Sequence, residues 1–141
     1  MLILSDGDVY VENNAVNTLI EKLKRRETGA VNGRPVSISP RNTMLGFWSH
    51  LLTDAGAHLT RLERVKKGKF IVVSGYLFAM KRLFDRIPEA ALSDDGVISY
   101  MVWEKGYEID YAENALVYVK FPSTFNDWIL QKGEALAAIN K

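Results

Sequence analysis

Short apolar runs alternate along this chain with segments whose apolar residues recur at helical spacing, and this alternation constrains the fold more than any other feature. Leu2-Ile3-Leu4 reads as a short buried strand. The polar turn Ser5-Asp6-Gly7-Asp8 follows it, then an extended piece at residues 9–11. Val16, Leu19, Ile20 and Leu23 then share one helical face, with Asn13 and Asn14 as candidate N-caps and Gly29 as a candidate stop. Residues 30–39 predict two extended pieces and a bend, because Gly33 and Pro35 interrupt the Val and Ile residues. Between residues 41 and 67, Met44, Leu45, Trp48, Leu51, Leu52, Ala55, Leu59 and Leu62 fall near a 3.6-residue period, which predicts one amphipathic helix broken at Gly46 and Gly56.

The second half repeats the pattern. Residues 70–74 predict a strand, Gly75 a turn, and residues 76–84 a short helix. Ser93-Asp94-Asp95 offers the cap of another helix, carrying Val97, Ile98, Met101 and Val102 and ending at Gly106. Tyr107, Ile109 and Tyr111 alternate with Glu108 and Asp110, and residues 116–121 make a further strand before Pro122. Ser123 or Thr124 caps a last helix with Phe125, Trp128, Ile129 and Leu130. Strands alternating with helices predict an α/β domain with a mostly parallel sheet and an antiparallel strand near residues 107–120. At 141 residues the chain is one domain, large enough to bury about two-thirds of the surface exposed when unfolded.

Composition narrows the function classes. Hydrophobic residues at 48% and charged residues at 25% set the chain apart from disordered and collagen-like sequences. A net charge of +1 supplies no global field, so nucleic acid is not an expected partner. The absence of cysteine removes thiolate metal sites, disulfides and thiol nucleophiles, and fits a reducing cytoplasm. No apolar run reaches the roughly 20 residues that span a bilayer. The basic stretch Arg61, Arg64, Lys66, Lys67 and Lys69 suits either a solvated helix end or contact with an anionic surface, so the expected location is cytoplasmic, with peripheral membrane contact left open.

Asp6 and Asp8 sit where a strand of an α/β sheet should end, the usual place for ligands. Two carboxylates one residue apart can share Mg or Mn and leave coordination positions for substrate phosphates, although Asp and Gly are equally common turn residues. Asp94 and Asp95 can cap a helix or supply a general base. Ser74-Gly75-Tyr76 permits a close backbone approach to a ligand or a tight turn. His50 and His58, eight residues apart, do not form an i, i+4 metal pair. Trp103 and Trp128 can serve as core or as sugar-binding walls.

Taken in order, Leu4-Ser5-Asp6-Gly7-Asp8-Val9, Gly29-Ala30-Val31-Asn32-Gly33-Arg34, Val73-Ser74-Gly75-Tyr76-Leu77, Leu92-Ser93-Asp94-Asp95, Gly106-Tyr107-Glu108-Ile109 and Asp127-Trp128-Ile129-Leu130-Gln131-Lys132 resemble family-2 glycosyltransferases of the synthase-like type. The resemblance covers nearly the whole chain to Lys132. It implies part of a GT-A fold, the C-terminal half of the catalytic domain, with the nucleotide-binding half expected before Met1. It also implies that Asp6 and Asp8 hold Mg or Mn and the donor diphosphate, and that Asp95, beside Asp94, deprotonates the acceptor. Gly75 and Tyr76 match the acceptor segment, Trp128 adjoins it, and Gln131 opens the family's Gln-x-x-Arg-Trp motif. Glu134 and Ala135 stand where that motif has Arg and Trp.

The activity so implied is inverting transfer of a sugar from a nucleotide-sugar donor to a glycan or lipid-linked acceptor, with the chain expected to be inactive alone. The other reading is a non-catalytic remnant or interaction module that forms a homo-oligomer, a dimer in the simplest case, through an open edge at Leu2-Ile3-Leu4.

Overall fold

The computed structural model describes residues 1–88 and 94–139 as a mixed α/β fold built on one five-stranded sheet. The strands are β1 (Leu2–Ser5), β2 (Tyr10–Val11), β3 (Thr28–Ser37), β4 (Leu77–Met80) and β5 (Glu108–Val119), in the order β1-β4-β3-β5-β2. The helices are α1 (Ala15–Leu23), α2 (Met44–Leu51), α3 (Thr60–Lys66), α4 (Asp94–Glu104) and α5 (Phe125–Ile139), and a π-helical segment, Leu52–Leu59, runs unbroken from α2 into α3.

Side-chain alternation divides the core between the two faces of the sheet. Val31, Leu77, Ala79 and Val117 pack with Ala15, Leu19 and Leu23 of α1. Their neighbours Ala30, Phe78, Met80 and Ile109 turn to the other face, against Ile98 and Val102 of α4 and against Ile71 and Val73.

The expected mostly parallel sheet is corrected. Among the described residues only β3 and β5 pair in parallel; β1 with β4, β3 with β4, and β2 with β5 are antiparallel. The connection from β3 to β4 holds the long helix and then residues 69–74, which take no regular secondary structure, before a turn at Gly75 and Tyr76 leads into β4 antiparallel to β3. The strand expected to be antiparallel, β5, is antiparallel to β2 and parallel to β3.

Local expectations fail where neighbours override sequence pattern. Residues 70–74 form no strand, and the helix expected at residues 76–84 contains β4 instead, whose four apolar residues are all buried. Leu2, Ile3 and Leu4 form a strand but an exposed one, since β1 lies at the sheet edge with β4 on one side only. The two pieces and bend expected at residues 30–39 merge into β3, with Gly29 inside the strand instead of stopping a helix. Pro35 is tolerated because the β4 ladder ends at Asn32, leaving no partner there for a missing N–H. A Cβ on Gly29 would lie 2.6 Å from Tyr107 Cβ and 2.7 Å from Val102 Cγ1, so only glycine lets α4 pack this closely. The separate strands expected after Gly106 are the single strand β5, which takes more residues than β3 between the pairs Asn32–Tyr111 and Arg34–Leu116. The helices α4 and α5 occur as expected, and so does the long helix, except that it is not broken at Gly46 or Gly56: α2 includes Gly46, and the π-helical segment carries the chain past Gly56 into α3. Thr43 caps α2 and Thr124 caps α5, whereas the Ser93 cap lies outside the described residues.

Candidate functional site

Gly75 is the meeting point of two sequence-distant acidic motifs. Its carbonyl accepts the Asp6 backbone N–H at 3.0 Å, and its own N–H donates to Asp95 Oδ2 at 3.0 Å. A Cβ at this position would lie 3.1 Å from Asp95 Oδ2 and 3.4 Å from Asp6 Oδ1. Both carboxylates therefore converge on one small backbone step, which a larger residue would crowd.

The segment leading into Gly75 is fixed from beneath by buried side chains. Asn32, fully buried on β3, donates from Nδ2 to the Val72 carbonyl at 3.0 Å and accepts the Ser74 N–H on Oδ1 at 2.8 Å. Ser99 of α4 accepts the Val73 N–H at 2.8 Å and donates to the Asp95 carbonyl at 2.5 Å. These side chains take the place of a sheet ladder for residues 72–74, which form no strand.

Asp95 is half-buried at the start of α4, while Asp94, Asp6 and Asp8 are exposed. Burial raises the Asp95 pKa above the ordinary carboxylate range; Asp6 and Asp94 add to the rise, and the Gly75 hydrogen bond and Arg61 oppose it. The direction suits a carboxylate that must take up a proton. The Tyr76 phenol is half-buried, and its pKa is raised by burial and then by Asp6 and Asp8, with Arg61 opposing.

Arg61 enters this neighbourhood from the first turn of α3. Burial lowers its pKa, while Tyr111, Tyr76 and Asp95 pull the other way. His58, one helical turn earlier, makes a 2.9 Å hydrogen bond from Nδ1 to the Tyr111 hydroxyl; its pKa is lowered by burial and by Arg34, with Glu113 and Asp54 opposing. The Tyr111 phenol is pushed up to about 12, chiefly by burial, with Arg34 and Arg61 opposing. The sequence placed Arg61 only in a basic helix end and gave His58 no chemistry. The i, i+3 spacing that puts His58 and Arg61 on one helix face was the one available signal.

Of the remaining basic residues, Arg64 donates twice to the Phe70 carbonyl and Lys67 pairs with Glu63, which suits a solvated helix end. Trp128 sits elsewhere, 5.8 Å from the Phe121 ring and under Lys132 Nζ at 5.4 Å, in a groove of about 480 Å³ shared with Met44, Leu45, Trp48, Leu52 and Phe125. Gln131 is exposed on α5, and no hydrogen bond ties it or Trp128 to the cluster around Gly75 among the described residues.

The donor set can contribute to a hard-cation site without completing one. Asp6 and Asp8 offer exposed carboxylate oxygens, but no group of three or more Asp, Glu or His is placed to hold a metal among the described residues. Such a pair fits a Mg or Mn ion only if phosphate oxygens or water fill the remaining positions. No helix among them is long and apolar enough to cross a membrane. No protein-family model matches the chain, and no curated protein matches it either.

Proposed function

We propose that the chain carries the metal-side and acceptor-side machinery of an inverting glycosyltransferase of GT-A fold, which in complete form transfers a sugar from a nucleotide-sugar to a glycan or lipid-linked acceptor. The observation that supports this reading is the convergence of Asp6 and Asp95 on the Gly75 backbone. The resemblance pairs the motifs carried by these residues as the donor and acceptor sides of one reaction.

In this reading Asp6 and Asp8 hold Mg or Mn, which when bound offsets the charge of the departing diphosphate. Asp95 accepts the proton of the acceptor hydroxyl, and its raised pKa keeps it basic enough to do so. Gly75 presents its backbone without a side chain, leaving room for the acceptor beside both carboxylates. Tyr76, next to Gly75 in the acceptor segment, is half-buried beside it, and the charges of Asp6 and Asp8 act on its phenol. Trp128 and Gln131, which the resemblance assigns to the acceptor and diphosphate channel, lie apart on α5, Trp128 in the groove with Met44, Trp48 and Phe125, so the reading rests on the Gly75 cluster and not on them.

The 141-residue chain by itself is expected not to turn over a nucleotide-sugar, because positioning the donor supplies about 7–11 kcal/mol of barrier lowering and belongs to the family's nucleotide-binding unit. With that unit joined or supplied in trans, transfer should appear with Mn and fall by at least about a hundredfold in Asp95→Asn. Transfer that persists at full rate in Asp95→Asn would remove this reading.

One observation favours the second reading, an interaction module. Leu2, Ile3 and Leu4 are exposed along an edge strand that pairs on one side only. Edges of this kind recruit a second strand, and a homo-oligomer is the simplest result. Light scattering that shows a monomer at high concentration counts against it. Peripheral membrane contact would use the exposed Phe47, Trp48 and Leu51 of α2, and vesicle co-sedimentation tests it.

A further inference from the structure

The start of α4 meets residues 73–75 at two points. Asp95 Oδ2 accepts the Gly75 N–H at 3.0 Å. Four residues on, the Ser99 hydroxyl accepts the Val73 N–H at 2.8 Å and donates to the Asp95 carbonyl at 2.5 Å. These bonds close a ring that runs from the Asp95 carboxylate through Gly75, Ser74 and Val73 to Ser99 and back to the Asp95 backbone. A serine hydroxyl has one proton to give and lone pairs to accept, and this one uses both inside the ring.

The far side of the ring is held as well. Asn32 accepts the Ser74 N–H at 2.8 Å and donates to the Val72 carbonyl at 3.0 Å, so the residues between the two contact points are tied to β3. Ser99 is fully buried on a helix that also sends Ile98 and Val102 into the core. Alanine is the better helix former at such a position and buries no polar atom, so the hydroxyl is accounted for by what it joins. A carboxylate held by one hydrogen bond can still pivot, whereas a second contact from the same helical turn removes that freedom. Reacting groups need to be held to within about 0.5 Å. Among the described residues no hydrogen bond occupies Asp95 Oδ1, which borders the space a Gly75 side chain would fill, 3.5 Å from the place of its Cβ.

We propose that Ser99 is a positioning residue for Asp95: by docking the start of α4 onto residues 73–75, it keeps Oδ2 on the Gly75 amide and leaves Oδ1 to take the proton of the acceptor hydroxyl. The part given to Oδ1 rests on the reading of Asp95 as the acceptor-side base. The docking does not, since it stands on the ring of hydrogen bonds. In the transfer, the acceptor O–H bond breaks with its proton passing to Oδ1, the acceptor oxygen bonds to the anomeric carbon, and the diphosphate leaves with the electron pair of its own bond to that carbon.

The test is the position of the Gly75 amide proton in the NMR spectrum of the full chain. An amide that donates to a carboxylate resonates downfield, and Asp95→Ala should move it upfield. Ser99→Ala should move it the same way by about half or more of that displacement, because the bond weakens steeply once its geometry slips. Ser99 bonds to neither Gly75 nor the carboxylate, so a merely structural serine would lower the unfolding midpoint and leave this resonance of the folded chain in place. Should Ser99→Ala fail to fold, Ser99→Cys keeps the volume while weakening both bonds, and the shift should have the same direction. With the nucleotide-binding unit supplied, Ser99→Ala should lower kcat about tenfold with the donor KM unchanged. A Gly75 resonance that stays at its wild-type position in the folded Ser99 variant would overturn the docking; an unchanged kcat where the resonance has moved would overturn the positioning of the base. Full transfer by Asp95→Asn would remove the reading of Asp95 as base and leave the docking standing on the amide signal.

Discussion

The cluster around Gly75 and the helix α5 were expected from one resemblance to be two parts of the same site, and they are held by different forces. Around Gly75, buried Asn32 and Ser99 clamp the backbone of residues 72–74, and Gly75 itself bonds to Asp6 and Asp95. On α5, Phe125, Ile129 and Leu130 are exposed, and the contacts of Trp128 are an aromatic neighbour and a lysine. The difference teaches where precision resides. Hydrogen bonds that would be left unmade in the interior fix positions sharply, whereas surface aromatic and cation–π contacts orient a helix only loosely.

The largest effect should come from Asn32→Ala, which orphans the Val72 carbonyl and the Ser74 N–H together. A loss of about 3 kcal/mol in urea unfolding is expected. A loss below about 1 kcal/mol would mean that the clamp contributes little and that the comparison fails on its strong side. Ser99→Ala leaves the Val73 N–H without an acceptor, and about 1–2 kcal/mol should go. Its amide hydrogen exchange should quicken at Val73, while α5 is unaffected. Trp128→Ala tests the weak side, with an expected loss of about 1 kcal/mol and no change at Gly75.

Asp95→Asn should have the smallest effect on stability and the opposite sign. Ionising Asp95 is harder in the folded chain than in the unfolded one, so the folded state loses stability as pH rises from the ordinary carboxylate range through the raised pKa. Asparagine lacks that titration and can still accept the Gly75 N–H. The variant's thermal midpoint should therefore exceed the wild type's at neutral pH, with the gap closing at pH values below the ordinary carboxylate range. A midpoint that falls at neutral pH would show that the ionised carboxylate stabilises the site.

Sequence pattern carried the mixed α/β class, the long helix and the start of α4, because each depends on local periodicity or capping. It failed at β4, where four apolar residues are compatible with either a helix or a strand and the choice belongs to β1 and β3 on either side. It failed at Leu2-Ile3-Leu4 for the converse reason: an apolar run marks a strand but does not say whether anything covers it. The meeting of Asp6, Gly75 and Asp95 was legible through the order of motifs. The part played by Ser99 was not, because a serine inside a helix looks like an ordinary polar position and its bond to Val73 depends on a segment far away in sequence.

The π-helical segment Leu52–Leu59 sets the phase of everything after it. Each residue added to or removed from a helix turns the following part by about 100° relative to the preceding part. Deleting one residue here, for example Gly56, while the rest of the segment keeps its winding would swing α3 by about that angle. His58 and Arg61 would then leave the Tyr111 and Asp95 side together, though no bond in the acidic cluster had been touched. An insertion or deletion in this segment is thus a single-step evolutionary route to losing or regaining the arginine and histidine as a pair, and chains that differ by one residue here should differ at both positions at once.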